Sequence, residues 1–284
     1  LKPYLKDIAG ATGIGHTRWA THGKPSDANA HPHVAGGIAL VHNGVIENYA
    51  ELKSALEACG ETFLSETDSE VIAKLLSKNF KGDLICALAE TVKVLKGSYA
   101  LMAICEGNNS IPVAKYRSSV ILGYGENEYF CASDEPALAG KCKEICVLDD
   151  GDIACITPDG IEIYNGNLQR IIREKKPNTG AEQSLDLGGY PHYMLKELHE
   201  IPVAVENTAK AFEGVSAKLK SALNGVDRII LVGCGTAYHA GLAGKRYFEQ
   251  FARVPAECDT AGEFRYKNPV ITERTAVFAV SQSG

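Results

Sequence analysis

The 284 residues, 45% hydrophobic and 23% charged, make an ordinary globular chain with length for two domains. A net charge of −6 without a dense Lys/Arg run argues against a nucleic-acid surface. No apolar stretch nears the roughly 20 residues of a membrane-spanning helix, no charged-then-apolar signal segment opens the sequence, and nine scattered cysteines outside C-x-x-C spacing fit a reduced, cytoplasmic protein.

The first distinctive stretch is His16-Thr17-Arg18-Trp19-Ala20-Thr21-His22-Gly23, which holds the only tryptophan. Its polar groups suit a small zwitterion, and the planar fork of Arg18 matches a carboxylate. A short apolar run, Ile38 to Val41, then ends at His42-Asn43-Gly44, where Asn-Gly predicts a tight turn. Val45, Ile46, Tyr49, Leu52 and Leu56 recur at helical spacing up to Gly60, and Thr62-Phe63-Leu64 reads as a brief strand. Ser65 to Glu70 is an acidic turn before a helix from Val71 to Leu76, with Thr67 or Asp68 as its cap.

Leu84 to Leu95 is a further amphipathic helix. Strands follow at 99–105, 113–116, 121–124, 129–133 and 145–148, with a hairpin at 152–156 and 161–164. Strands in series with helices gathered in one region predict sheets packed face to face under a helical cover. Residues 1–175 form this first domain. Residues 176–190, rich in Pro, Gly, Asn and charge, form a linker.

Residues 191–284 form the second domain. A helix over 193–212 is expected to break or kink at Pro202. The continuous apolar run 228–232 marks a strand buried on both faces. The loop Gly233-Cys234-Gly235-Thr236-Ala237 leads into a helix over 238–251; a strand at 256–258, a helix at 261–266 and a strand at 275–280 complete an open parallel sheet. The chain lacks Met at Leu1 and stops in a loop after a strand, so it reads as a fragment, its first domain truncated at its start and its second at its end.

Two loops in the second domain, Gly233 to Ala237 and Ser281 to Gly284, follow buried strands and consist largely of small or hydroxyl residues. Placed at the carboxyl ends of parallel strands, they suit a phosphate, and the absence of G-x-G-x-x-G speaks against a dinucleotide. In the first domain, Arg18 can take a carboxylate, Asp68 an ammonium, and Asn43 with the Gly44 N–H an oxyanion. Each has a plainer alternative: Asp68 as helix cap, Asn43 as turn residue, His22 as core histidine. Five of the eight histidines lie within the first 42 residues. His31-Pro32-His33 nevertheless reads as an awkward chelator, its rings expected on opposite faces, and zinc-type Cys or acidic spacing is lacking. No metal and no cofactor are expected.

Three motifs, 13–23, Asn29-Ala30-His31-Pro32-His33 and Val41-His42-Asn43-Gly44, resemble class II glutamine amidotransferases, which carry an N-terminal-nucleophile fold. With Ser65-Glu66-Thr67-Asp68, the pattern is similar to the glutamine–fructose-6-phosphate aminotransferase (isomerising) family. Gly233-Cys234-Gly235-Thr236, Glu263-Phe264-Arg265-Tyr266 and Ser281-Gln282-Ser283-Gly284 resemble the start of that family's sugar isomerase (SIS) domain. The implied fold is an α+β N-terminal-nucleophile-type layered sandwich followed by an α/β open parallel-sheet SIS domain.

The resemblance implies that Arg18 binds the α-carboxylate of glutamine and Asp68 its α-amino group, with Thr21 and His22 lining the site. Asn43 and Gly44 would form the oxyanion hole and Trp19 an ammonia-channel gate. Cys234, Gly235, Thr236, Ser281, Gln282 and Ser283 would hold the phosphate of fructose 6-phosphate. The implied protein is a cytoplasmic homodimer that hydrolyses glutamine through a thioester and aminates fructose 6-phosphate to glucosamine 6-phosphate. The family's nucleophile is an N-terminal cysteine in a Cys-Gly-Ile context that none of the nine cysteines occupies, so no glutaminase activity is expected from the fragment. Rival readings are an amidotransferase acting on phosphoribosyl pyrophosphate or aspartate, and a non-catalytic phosphosugar-binding regulator with a degenerate glutaminase half.

Overall fold

The computed structural model describes residues 10–18, 22–179 and 187–281. Trp19, Thr21, Gln282 and Ser283 lie outside these residues. The chain divides into two compact units between Asp186 and Leu187.

In the first unit the elements are β1 (His33–Ala35), β2 (Ile38–Ile46), α1 (Tyr49–Ala58), α2 (Asp68–Asn79), α3 (Leu84–Val92), β3 (Gly97–Cys105), β4 (Ile111–Tyr116), β5 (Ile121–Tyr124), β6 (Tyr129–Ala132), β7 (Glu144–Val147), β8 (Ile153–Thr157), β9 (Gly160–Tyr164), β10 (Arg170–Ile171) and β11 (Lys176–Pro177). They build a seven-stranded sheet in the order β1-β2-β3-β4-β8-β9-β10 and a four-stranded sheet in the order β11-β7-β5-β6. All the pairings in both are antiparallel.

The alternation along β3 shows why two layers form. Tyr99, Leu101 and Ala103 join Ile72 and Leu76 of α2 and Leu88 of α3 in one core. Ala100 and Met102, pointing the other way, pack on a second core that includes Leu122 of β5 and Cys146 of β7. The large sheet is therefore covered by helices on one face and by the smaller sheet on the other. β11 begins at Lys176, so strand pairing runs into the segment that composition marks as a linker.

Helix α2 starts where its sequence provides a start. The Thr67 side chain accepts the Glu70 N–H at its N-cap, and Glu70 reaches back to the N–H groups of Leu64 and Ser65 and the Ser65 hydroxyl, at 2.6–3.1 Å. Residues 62–64 are irregular, with the Leu64 N–H taken by Glu70, and the brief strand expected there does not form.

The expected Asn43-Gly44 turn is also corrected. β2 runs straight through both residues, paired with β3 from Ile38↔Cys105 to Ile46↔Gly97, and the following helix starts at Tyr49 instead of Val45. Gly44 has φ +127°, and a Cβ there would lie 2.2 Å from the Ser98 carbonyl oxygen. The glycine is required by close strand approach, not by a reversal of the chain.

The second unit contains α4 (Tyr193–Glu213), α5 (Ser216–Ala222), β12 (Arg228–Gly233), α6 (Thr236–Tyr247), β13 (Ala256–Thr260), α7 (Ala261–Lys267) and β14 (Thr275–Ala279). Its sheet is parallel, in the order β13-β12-β14, and residues 229–233 of the central strand are buried. α4 passes through Pro202 as one helix of 21 residues, so the expected break does not occur; the proline withholds one backbone bond without ending the helix. The helix expected to reach 251 narrows to α6 and a single π-type turn, Phe248–Ala252. Among the described residues no helix is long and apolar enough to cross a membrane.

Candidate functional site

The N-terminus of α2, the end of β2, residues 16–18, His22 and His31 line a cavity of about 230 Å³. Its walls include Arg18, His22, Asn43, Gly44 and Asp68, so every described first-domain site residue expected from sequence is brought to one place.

Asp68 is the first residue of α2, where the helix dipole favours negative charge. Because Thr67 provides the cap, the Asp68 carboxylate is not spent on capping. Its Oδ2 accepts the Ile46 N–H at 2.9 Å, and its Oδ1 lies 3.9 Å from His22 Nδ1. The residue is 3% exposed. A buried carboxylate on the wall of a polar cavity is suited to an ammonium ligand, which would offset its desolvation.

Arg18 is more engaged than a free fork. Its Nη2 donates to the His22 and Gly23 carbonyls at 2.6 and 2.7 Å, and its Nη1 to the Lys24 carbonyl at 3.1 Å. The side chain thus folds the 22–24 loop around itself and keeps Nε–H and one Nη1 hydrogen for a ligand. Asn29 braces the same loop, donating to the Lys24 carbonyl at 2.9 Å and accepting the Glu66 N–H at 2.9 Å. Sequence reading gave Asn29 no role of its own; its place at the head of the Asn29-Ala30-His31-Pro32-His33 motif was the available signal.

Asn43 Oδ1 accepts from His16 Nε2 at 2.7 Å. That bond orients the amide and leaves its Nδ2 as a donor beside Gly44.

Behind these groups lies a histidine cluster that sequence reading set aside. The His16 and His31 rings are 4.0 Å apart and those of His31 and His33 4.9 Å. The expectation that His31 and His33 point to opposite faces is therefore corrected, because positions two apart on an extended chain share a face. Hydroxyls partner the rings: Ser69 Oγ lies 3.1 Å from His31 Nε2 and 2.9 Å from His42 Nδ1, and Thr67 Oγ1 lies 3.0 Å from His33 Nε2. Among the described residues no group of His, Cys, Asp or Glu has metal-binding geometry.

Burial, reinforced by the neighbouring His16, His33, His42 and Arg18 side chains, holds the His31 pKa down to about 3. Burial also lowers His42 to about 4 against the opposing pull of Asp68, and lowers His33 against that of Glu70. Burial opposes the charge on Glu70, but its bonds from Ser65 and the Leu64 and Ser65 backbone prevail and lower its pKa.

The pH consequence follows by linkage. The unfolded chain protonates its histidines near 6.5, whereas folded His31 and His42 stay neutral to about 3 and 4. Below pH 6.5 the unfolded state binds more protons, so stability falls with pH, by up to about 1.4 kcal/mol per unit for each histidine. Glu70, lowered in the folded state, adds to the loss below its unfolded value of 4.5. Urea midpoints are expected to drop steadily from pH 6.5 to 4; a flat profile over that interval would contradict neutral burial.

In the second unit, Cys234 and Gly235 form the turn after β12, and Thr236 opens α6. Gly233 packs so tightly that an added Cβ would meet the 237–238 backbone at 2.8–2.9 Å, and Gly235 has φ +55°. Ser281 follows β14, which pairs in parallel with β12, so Ser281 and the Cys234-Gly235 turn follow the carboxyl ends of adjacent strands. Trp19, Thr21, Gln282 and Ser283 cannot be placed, since they are outside the described residues.

Sequence comparison matches the profile of the "Glutamine amidotransferase domain" over residues 16–139 and that of the "SIS domain" over residues 222–284. Most of the α+β layers thus fall within the match to the glutamine amidotransferase domain, and the parallel α/β sheet within the match to the SIS domain. The glutamine–fructose-6-phosphate aminotransferase (isomerising) of Aquifex aeolicus is 48% identical over 283 residues, 98% of this chain and 48% of that protein. That of Thermus thermophilus is 47% identical, across 98% of this chain and 47% of its own. That of Clostridium tetani is 43% identical, across 98% and 48%. The chain spans about half the length of the curated relatives it matches. Two domain profiles in order and near-complete alignment of the chain agree: over 98% of its length it is similar to the glutamine–fructose-6-phosphate aminotransferases of these organisms.

Proposed function

We propose that the protein carrying this chain hydrolyses glutamine in its first domain and transfers the ammonia to fructose 6-phosphate, giving glucosamine 6-phosphate and glutamate. The observation that carries this reading is the single cavity walled by Arg18, Asp68, Asn43 and Gly44. Asp68 takes the α-ammonium and Arg18 the α-carboxylate, with His22 alongside. The side-chain amide then lies toward Asn43 and Gly44, whose N–H groups stabilise the oxyanion as a thiolate adds to the carbonyl carbon. None of the nine cysteines lines the cavity, so this chain is expected to hold glutamine without cleaving it.

Cys234, Gly235, Thr236 and Ser281, with Gln282 and Ser283, take the sugar phosphate at the carboxyl end of the parallel sheet. Trp19 gates the ammonia and Thr21 lines the glutamine site; these two roles rest on sequence. Free cysteines support a cytoplasmic setting, and the reading includes a homodimer without cofactor or metal.

Thermal unfolding with each ligand in turn tests the proposal. A ligand at 100 times its Kd adds about 2.7 kcal/mol of stability, so glutamine and fructose 6-phosphate are each expected to raise the midpoint by several degrees. Stabilisation by the sugar phosphate alone would favour a phosphosugar-binding regulator with a degenerate glutaminase half. No shift with either ligand would overturn both readings.

A further inference from the structure

Ser69 is buried at the second position of α2, next to Asp68. Its Oγ lies between His42 Nδ1 at 2.9 Å and His31 Nε2 at 3.1 Å. His42 precedes Asn43 in β2, and the His31 ring packs on His16, whose Nε2 holds the Asn43 carbonyl oxygen. One hydroxyl therefore connects the residue that takes the ammonium to the residue that takes the oxyanion, by two routes.

We propose that Ser69 is a positioning residue for the glutamine site, coupling the tautomers of His31 and His42 and thereby fixing the spacing of Asp68 and Asn43. The inference rests on the glutamine reading above. A hydroxyl carries one proton and two acceptor lone pairs, so it donates to at most one of the two imidazoles. The ring that receives no proton from Ser69 must itself carry hydrogen toward Oγ: where the hydroxyl donates to His42 Nδ1, His31 Nε2 carries hydrogen, and the reverse.

Their far nitrogens, His31 Nδ1 and His42 Nε2, are buried without a hydrogen-bond partner among the described residues. The Ser98 backbone also bears on the His42 ring, so it is the His31 tautomer that rests on Ser69 alone. The groups acting on the pair are His16, His33, Arg18 and Asp68, with the Ser98 backbone on the His42 ring. Of these, Asp68 and the Ser98 backbone favour a charged His42 ring, the others oppose charge, and burial keeps both rings neutral.

The test uses the full chain with Ser69→Ala and Ser69→Thr. Calorimetry gives glutamine Kd, and long-range proton–nitrogen spectra give the tautomers, with signals assigned through His31→Asn and His42→Asn. Ser69→Ala is expected to weaken glutamine binding about tenfold and to convert the single His31 tautomer into a mixture, while Ser69→Thr stays within about threefold of the parent and keeps single tautomers. Unchanged tautomers in Ser69→Ala would overturn the proposal, as would mixed tautomers with unchanged affinity. If the parent chain fails to bind glutamine, the substrate reading falls by itself. The tautomer spectra then decide the Ser69 proposal. Should the alanine variant not fold, Ser69→Cys, a weak donor of similar size, takes its place with the same expected losses.

Discussion

Alanine at Gly44 is expected to destabilise the first domain by roughly 2–6 kcal/mol and to abolish glutamine binding. Two costs combine. The backbone at φ +127° disfavours any side chain, at about 1–3 kcal/mol. The new Cβ would also fall 2.2 Å from the Ser98 carbonyl oxygen and 2.7 Å from its carbon, and relieving such overpacking typically costs about 1–3 kcal/mol. Both neighbours are backbone, so the relief must come from parting β2 and β3 at the point where Asn43 is held. Gly60 separates the two effects: it has φ +92° but open space around it. Gly60→Ala should therefore show the conformational cost alone. Urea denaturation of the two variants gives the comparison, and equal losses would show that the close strand approach is not what Gly44 provides.

Asparagine at Asp68 is expected to weaken glutamine binding about 100-fold while changing stability by less than about 1 kcal/mol. An ammonium on a buried carboxylate is a charge-assisted bond worth about 1.5–3 kcal/mol, and 100-fold corresponds to about 2.7 kcal/mol. The fold is spared because asparagine keeps an oxygen that can accept the Ile46 N–H now bound at 2.9 Å. The Thr67 cap and the Glu70 bonds to Ser65 are untouched. Calorimetry against denaturation separates the outcomes: affinity unchanged at full stability would mean that Asp68 does not hold the ammonium.

Much of this architecture was legible because its signals are local. The apolar run of β12 announces a strand covered on both faces, and the Thr67–Glu70 spacing announces the start of α2. The motif around Arg18 and the pair Asn43-Gly44 located the cavity, though not how it is built. Asn-Gly carries the same preference for positive φ whether it turns a hairpin or lets two strands approach. Only its pairing with Tyr99 and Ala100, distant in sequence, distinguishes the two. The Ser69 contacts were hidden for the same reason, spanning 27 positions to His42 and 38 to His31. Arg18 looked like a free fork because nothing in a sequence shows that its own loop carbonyls will occupy three of its hydrogens.

The structure of this chain with glutamine bound is the most direct test of the central claim, that one cavity grips both ends of the amino acid. The α-ammonium is expected within hydrogen-bonding distance of the Asp68 carboxylate, the α-carboxylate on Arg18, and the side-chain amide oxygen toward Asn43 and Gly44. Glutamine bound elsewhere, or in this cavity with its amide end on Asp68, would contradict it.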